Sequence, residues 1–241
     1  LAENVRFFSY SVEEGDFHAD NIRIGNGEIV FDFITPEGVM ENITLGVPVY
    51  VNIENGIAAM AIAWLNGVTE EELRKGMSTF RGVKRRFDFH LKSDKIVFLD
   101  DYAHHPQELN SSIESVRSLY QNRKLTVVFQ PHLYTRTRDL ADEFAEALSK
   151  ADELILLDIY PARELPIPGV TSEIIFDKVT APEKVIMVKE QLMDYLKDEP
   201  IDTLITFGAG NIDRFIGPIT EMLCQRPVSY THLRAHETLR Y

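Results

Sequence analysis

A single cysteine, Cys224, is all that the 241 residues contain, so no disulfide can form within the chain and a cysteine-based zinc site has no ligand set. Basic residues are also in short supply, 25 Lys and Arg against 38 Asp and Glu, a net charge of -13. A surface that tracks nucleic-acid phosphates needs clustered cations, so nucleic acid is not expected as a partner. No apolar run approaches the ~20 residues required to span a bilayer, and Leu1 to Tyr10 lacks the basic-then-apolar order of a signal peptide. No membrane contact is expected, and the reducing cytoplasm is the expected address. Internal repeats and low-complexity segments are absent too. What remains is ordinary globular composition, 44% hydrophobic and 26% charged, enough for one large or two small cores.

Both ends read as unnatural. The first residue is Leu1, and the strand-like Val5 to Tyr10 follows at once, as in a piece cut from a longer protein. Residues 227–241 open with Pro-Val-Ser-Tyr-Thr-His-Leu-Arg-Ala-His-Glu-Thr, which resembles a translated sequencing adapter. That tail is set aside as non-native, and the acidic balance survives its removal.

From Phe17 to Leu45 three short alternating runs are separated by Asn26-Gly27 and Pro36-Glu37-Gly38, the signature of antiparallel turns. Helical texture follows over Asn55 to Leu65. Thr69-Glu70-Glu71-Glu72 reads as a capping box opening a second helix toward Phe80. After Arg86 the order becomes strand, helix, strand, with strands over Lys95–Leu99, Leu125–Phe129, Glu153–Leu157, Lys184–Val188 and Thr203–Phe207. Helices fall at Pro106–Tyr120, Leu140–Ser149 and Gln191–Lys197. This alternation predicts an α/β fold with a doubly wound, mostly parallel sheet, whose ligands bind beyond the carboxyl ends of the strands. The expected division is a compact sheet domain over residues 87–226 and an incomplete piece of another before it.

Three of those carboxyl ends carry polar bursts: Asp100-Asp101-Tyr102-Ala103-His104-His105-Pro106, Gln130-Pro131-His132-Leu133-Tyr134-Thr135-Arg136-Thr137-Arg138-Asp139, and Asp158-Ile159-Tyr160-Pro161-Ala162-Arg163-Glu164. The first reads equally as a functional loop or as a plain helix N-terminus with Pro106 in its first turn. Arg136 suits bidentate binding of a carboxylate or phosphate, whereas Arg138 reads as a surface arginine. Gly208-Ala209-Gly210-Asn211 is either a close approach to a ligand or a simple turn. A metal on His104, His105 and His132 with Asp100 or Asp101 is disfavoured. Adjacent loop histidines usually point apart, and no helical i, i+4 pair exists.

These bursts, together with Phe80-Arg81-Gly82-Val83-Lys84-Arg85-Arg86-Phe87-Asp88, resemble in order and spacing the Mur ligases, ATP-dependent amide-bond formers of bacterial cell-wall synthesis. Among them the resemblance is to the type that joins L-alanine to UDP-N-acetylmuramate, and it covers essentially Phe7 to Arg226. The recycling ligase that reattaches a tripeptide usually has Phe where Tyr102 stands, and fits less well.

The resemblance implies a UDP-binding domain, a central ATP-binding domain and a Rossmann-like C-terminal domain. Residues 1–86 would be the end of the central domain, 87–226 the C-terminal domain and 227–241 the non-native tail. It implies further that Asn52 and Asn55 lie by adenine, Arg86 by the phosphates as the catalytic arginine, and Asp101 by the ribose. Tyr102, His104, His132 and Arg136 would receive L-alanine and the muramoyl end. Without the resemblance, both asparagines read as helix caps. Two positions depart from the family pattern, Leu133 where Arg is usual and Arg163 where Gly is usual. No Gly-x-x-x-x-Gly-Lys-Ser/Thr loop occurs, so ligands for Mg2+ and the phosphate cradle are expected in a missing N-terminal part, and the chain alone is expected to be inactive. A free-standing nucleotide-binding module and a metal-dependent hydrolase are the readings from other classes. The sequence carries no statement of oligomeric state.

Overall fold

The computed structural model describes residues 5–226; the adapter-like segment lies outside the described residues. Strands β1 (His18–Gly25), β2 (Glu28–Thr35) and β3 (Gly38–Thr44) form an antiparallel meander. Asn26 and Gly27 both take positive φ, 53° and 74°, which matches the right-handed twist of the strands they join. Along β2, alternate residues Ile29, Phe31, Phe33 and Thr35 are buried, as a sheet covered on one face requires. Helix α1 (Val51–Leu65) turns Ile53, Ile57 and Met60 inward, and Trp64 meets the ring of Phe17 edge-on at 5.5 Å. Helix α2 (Glu70–Thr79) opens with the expected capping box: Glu72 N donates to Thr69 Oγ1, and Thr69 N donates to Glu72 Oε2 at 3.0 Å.

Val5 to Tyr10 is not a strand. Its one ladder contact is a bridge between Tyr10 and Phe17, and Val5 and Phe7 are exposed. Asp16 explains the departure, because its carboxylate accepts from Ser9 N and Ser9 Oγ and folds the segment back on itself.

The second sheet has six strands: β4 (Asp88–Lys92), β5 (Val97–Asp101), β6 (Leu125–Phe129), β7 (Glu153–Leu157), β8 (Glu183–Met187) and β9 (Thr203–Phe207). Their spatial order is β4-β5-β9-β6-β7-β8, with β4 antiparallel and the rest parallel. Helices α3 (Pro106–Leu119), α5 (Ala141–Leu148) and α6 (Glu173–Phe176) cover one face, and α7 (Leu192–Asp198) and α8 (Ile216–Cys224) cover the other. Successive strand residues therefore divide between two apolar layers: Val127 and Phe129 pack with the first group, Val128 with the second. This is the doubly wound arrangement that the continuous apolar strands predicted. Strand pairing separates the two sheets, but apolar packing does not. One buried cluster runs from Phe17 to Phe207, and Gly27 N donates to Leu119 O at the end of α3. No helix among the described residues is long and apolar enough to cross a membrane.

The register sets Asp101, Phe207 and Phe129 side by side, so the carboxyl ends of β5, β9 and β6 form one level edge.

Candidate functional site

The chain reaches this edge through a linker, residues 80–87, whose backbone is unusual. Gly82, Arg85 and Phe87 take φ of 78°, 62° and 49°. Two non-glycine residues in the left-handed region flank Arg86, a conformation that persists only when surrounding contacts over-determine it. Those contacts exist. Arg85 Nε donates to Asp100 Oδ2 at 3.0 Å, Arg85 Nη2 donates to Gly208 O at 2.6 Å, and Phe87 is buried against Phe89.

Arg86 faces a cavity of about 450 Å³ between α1, the linker, the end of β5 and α3. Asn52, Asn55, Asp101 and Tyr102 line the same cavity, so every residue assigned to nucleotide by the sequence resemblance converges there. Neither asparagine caps α1. Asn52 Nδ2 donates to Val47 O and Asn55 Nδ2 donates to Asn52 Oδ1, both at 3.2 Å, while the cap position, Tyr50, makes no side-chain cap bond. Asp101 accepts from Ser112 Oγ at 2.5 Å and Ala103 N at 3.1 Å. Burial pushes its carboxyl above the usual range, against these two hydrogen bonds. A carboxylate has about four lone-pair sites, so capacity remains for a ligand hydroxyl.

The first polar burst divides between a helix N-terminus and the edge of the cavity. Pro106 occupies the first turn of α3, and Glu108 reaches back to accept from His104 N and His105 N at 3.0 and 3.2 Å. Asp101 and Tyr102 meanwhile look into the cavity.

A second group begins at Tyr102. Its ring meets His104 edge-on at 5.3 Å, His104 lies 6.1 Å from His132, and His132 stacks on Tyr160 at 5.7 Å. Arg136, on the short helix α4 (Tyr134–Asp139), approaches His132 with Nη1 3.4 Å from Nδ1. A guanidinium can only donate, so this contact makes Nδ1 the acceptor and leaves the proton on Nε2. Burial, then the charge of Arg136, holds the His132 pKa below its usual 6.5. The pair thus offers a fixed cation beside a neutral imidazole, a suitable receptor for a carboxylate. Tyr102, His104, His132 and Arg136 are together here, but away from the nucleotide-side cavity except through Tyr102. A histidine whose folded pKa is lowered contributes stability that is full above 6.5 and is lost as pH falls through the lowered value. Thermal midpoints measured below pH 6.5 are therefore expected to decline more steeply for the parent than for His132→Gln; parallel curves would contradict this charge state.

Several residues with no implied ligand contact shape this edge. Tyr160 supports His132 by stacking, and its backbone pairs with that loop, since Leu133 N donates to Tyr160 O at 3.0 Å. Leu133 holds a φ of 73° at the start of α4, and Glu164 steadies that turn by accepting from Thr135 N and Thr135 Oγ1. Buried Gln130 ties the edge together, donating to Asn211 Oδ1 and accepting from Ile212 N. A side chain on Gly208 or Gly210 would meet Gln130 O at 2.8 Å or Gln130 Oε1 at 2.5 Å, so these glycines serve close packing within the chain. Among the described residues no group of three His, Cys, Asp or Glu side chains is placed to share a metal ion.

Residues 85–210 match the family model described as Mur ligase, glutamate ligase domain. The chain belongs to the Mur ligase family. It is 61% identical over 227 residues to a UDP-N-acetylmuramate--L-alanine ligase of Parabacteroides distasonis, covering 94% of this chain and 49% of that protein. Its fold matches the crystal structure of the UDP-N-acetylmuramate-alanine ligase MurC of Thermotoga maritima, with a TM-score of 0.74 and 24% identity over 90% of this chain and 48% of that one. It also matches a Thermotoga maritima MurF ligase solved with ADP, at a TM-score of 0.65 and 17% identity over 90% and 49%. The chain spans about half the length of the curated Mur ligase relatives it matches.

Proposed function

We propose that this chain is the carboxyl-terminal half of an ATP-dependent ligase that joins L-alanine to UDP-N-acetylmuramate. Residues 1–86 would end the central ATP-binding domain and 87–226 form the closing C-terminal domain. The observation that carries the reading is the convergence of Asn52, Asn55, Arg86, Asp101 and Tyr102 on one cavity. Its polar groups fit a nucleotide: amides for a base edge, a buried carboxylate to accept from vicinal hydroxyls and a guanidinium to donate to phosphates. Identity of 61% with the Parabacteroides distasonis ligase supports the choice of substrates.

In this reaction the lactyl carboxylate takes the terminal phosphoryl group of ATP, releasing ADP. The amine of L-alanine then attacks the acyl carbon, forming the amide and expelling phosphate as a proton leaves the nitrogen. Phosphoryl transfer depends on alignment and charge neutralisation, which is the part given to Arg86. Mg2+ would neutralise phosphate charge when bound, with its ligands and the phosphate loop supplied by the other half. His132 and Arg136 would hold the carboxylate of L-alanine so that its amine faces the acyl group.

Joining this chain to the N-terminal half of the Parabacteroides distasonis relative is expected to give phosphate release that requires both UDP-N-acetylmuramate and L-alanine. A preference for a tripeptide in place of L-alanine would move the assignment to the recycling ligase. Nucleotide binding with no substrate-dependent turnover would leave a nucleotide-binding module instead.

A further inference from the structure

We propose that Arg85 is a positioning residue: it locks the linker to the carboxyl edge of the sheet and thereby holds Arg86 and Tyr102 on the cavity. The inference rests on the nucleotide reading of that cavity. Two adjacent arginines would suggest two phosphate ligands, but the geometry divides their work. Arg85 is 14% exposed, and its whole fork is engaged. Nε bonds the fully buried Asp100, Nη2 bonds Gly208 O, Nη1 stands 4.0 Å from Asp213, and the guanidinium lies 5.1 Å from the centre of the Tyr102 ring. The backbone is held as firmly. Arg85 N donates to Asp88 Oδ2 at 3.1 Å, and Arg85 O accepts from Tyr102 N at 2.6 Å.

Asp100 is not free to follow a displaced arginine, because its other oxygen accepts from Thr206 Oγ1 at 2.7 Å in the central strand β9. One side chain therefore connects β5, the loop after β9, and the ring of Tyr102. Arg86 is the opposite case. Its side chain makes no hydrogen bond or ion pair among the described residues, it lines the cavity, and its charge is felt by Glu108. The left-handed turns at Arg85 and Phe87 face Arg86 into the cavity, and the Arg85 fork is what makes that backbone persist. Lysine cannot replace it, since a single ammonium lacks the planar set of donors that reaches Asp100 and Gly208 together.

The test titrates ADP and adenosine into the chain joined to the N-terminal half of the Parabacteroides distasonis relative, as parent, Arg85→Ala, Arg86→Ala and the double variant, with Arg85→Lys as the version that keeps a cation beside Asp100 and hence the fold. Arg85→Ala and Arg86→Ala are each expected to weaken ADP by roughly tenfold or more while leaving adenosine unchanged, the size of one charged hydrogen bond. The double variant should lose no more than Arg86→Ala alone, because Arg85 acts through Arg86. Arg85→Lys should show the same pattern to a smaller degree. Multiplicative losses in the double variant, or unchanged ADP affinity with only a lowered melting point, would overturn the proposal. A parent chain that binds no ADP would remove the nucleotide reading instead. Amide exchange then decides Arg85 by itself: faster exchange at Arg86 and Tyr102 in Arg85→Lys with β9 unchanged supports the lock, and unaltered exchange refutes it.

Discussion

Arg86→Ala in the chain joined to a relative's N-terminal half is expected to lower turnover about a hundredfold or more, beyond the roughly tenfold rise in nucleotide requirement that its ground-state phosphate contact implies. The reason lies in where Arg86 sits. It faces the cavity, makes no side-chain hydrogen bond or ion pair among the described residues, and stands where it can meet charge that develops on a transferring phosphoryl group. Asp101→Ala is expected to act differently, raising the ATP requirement, because the proposed ribose contact would be present before and during the reaction alike. Arg136→Ala should raise the requirement for L-alanine or the muramoyl substrate, by roughly ten- to a hundredfold for a lost charged hydrogen bond. Steady-state kinetics at varied ATP and varied L-alanine separate the three. Identical profiles for all three variants would show that the cavity and the His132–Arg136 group do not divide as their positions indicate.

Phe129→Ala is expected to cost about 3–5 kcal/mol, the range for removing a large ring from a well-packed interior. Phe129 is fully buried at the end of β6, lies opposite Phe207 in β9, and its ring centre is 5.2 Å from that of Phe144 in α5. It thus joins the edge of the site to the helical layer beneath. For a chain of this size the loss corresponds to a drop of roughly 6–20 °C in thermal midpoint. Phe7→Ala is the matched comparison, since Phe7 is 69% exposed and should shift the midpoint little. A drop at Phe129 no larger than that at Phe7 would mean that this layer is not packed as described.

The parallel strands are legible because two-sided burial leaves a nearly continuous apolar run, as in Leu125 to Phe129, broken only by Thr126, and Leu154 to Leu157. The hairpins were legible from Asn26-Gly27 and Pro36-Glu37-Gly38, where backbone conformation restricts residue choice. β4 is not legible in the sequence, because Asp88–Lys92 is a half-covered edge whose residues are all partly exposed and do not alternate cleanly. α4 and α6, six and four residues long, are too short for a helical period to declare itself. In the site, polar bursts after apolar strands located the edge, since only ligand or loop chemistry explains such residues there. Arg85 was not separable from Arg86 by sequence. Only the three-dimensional positions of Asp100, Gly208 and Tyr102 tell an internal tie from a cavity-facing charge.

The spatial order β5-β9-β6 has a consequence for how the chain is made. β9, the central strand, is the last of the six to leave the ribosome, and neither β5 nor β6 pairs with the other without it. Until Thr203 to Phe207 emerges, native pairing can reach no further than β4-β5 and β6-β7-β8, each with an open inner edge. Unpaired strand edges of this kind are sites of misassociation. Synthesis arrested before Thr203 would therefore release a species unable to close its sheet, however complete its helices, and the level carboxyl edge would come into being only with the final strand.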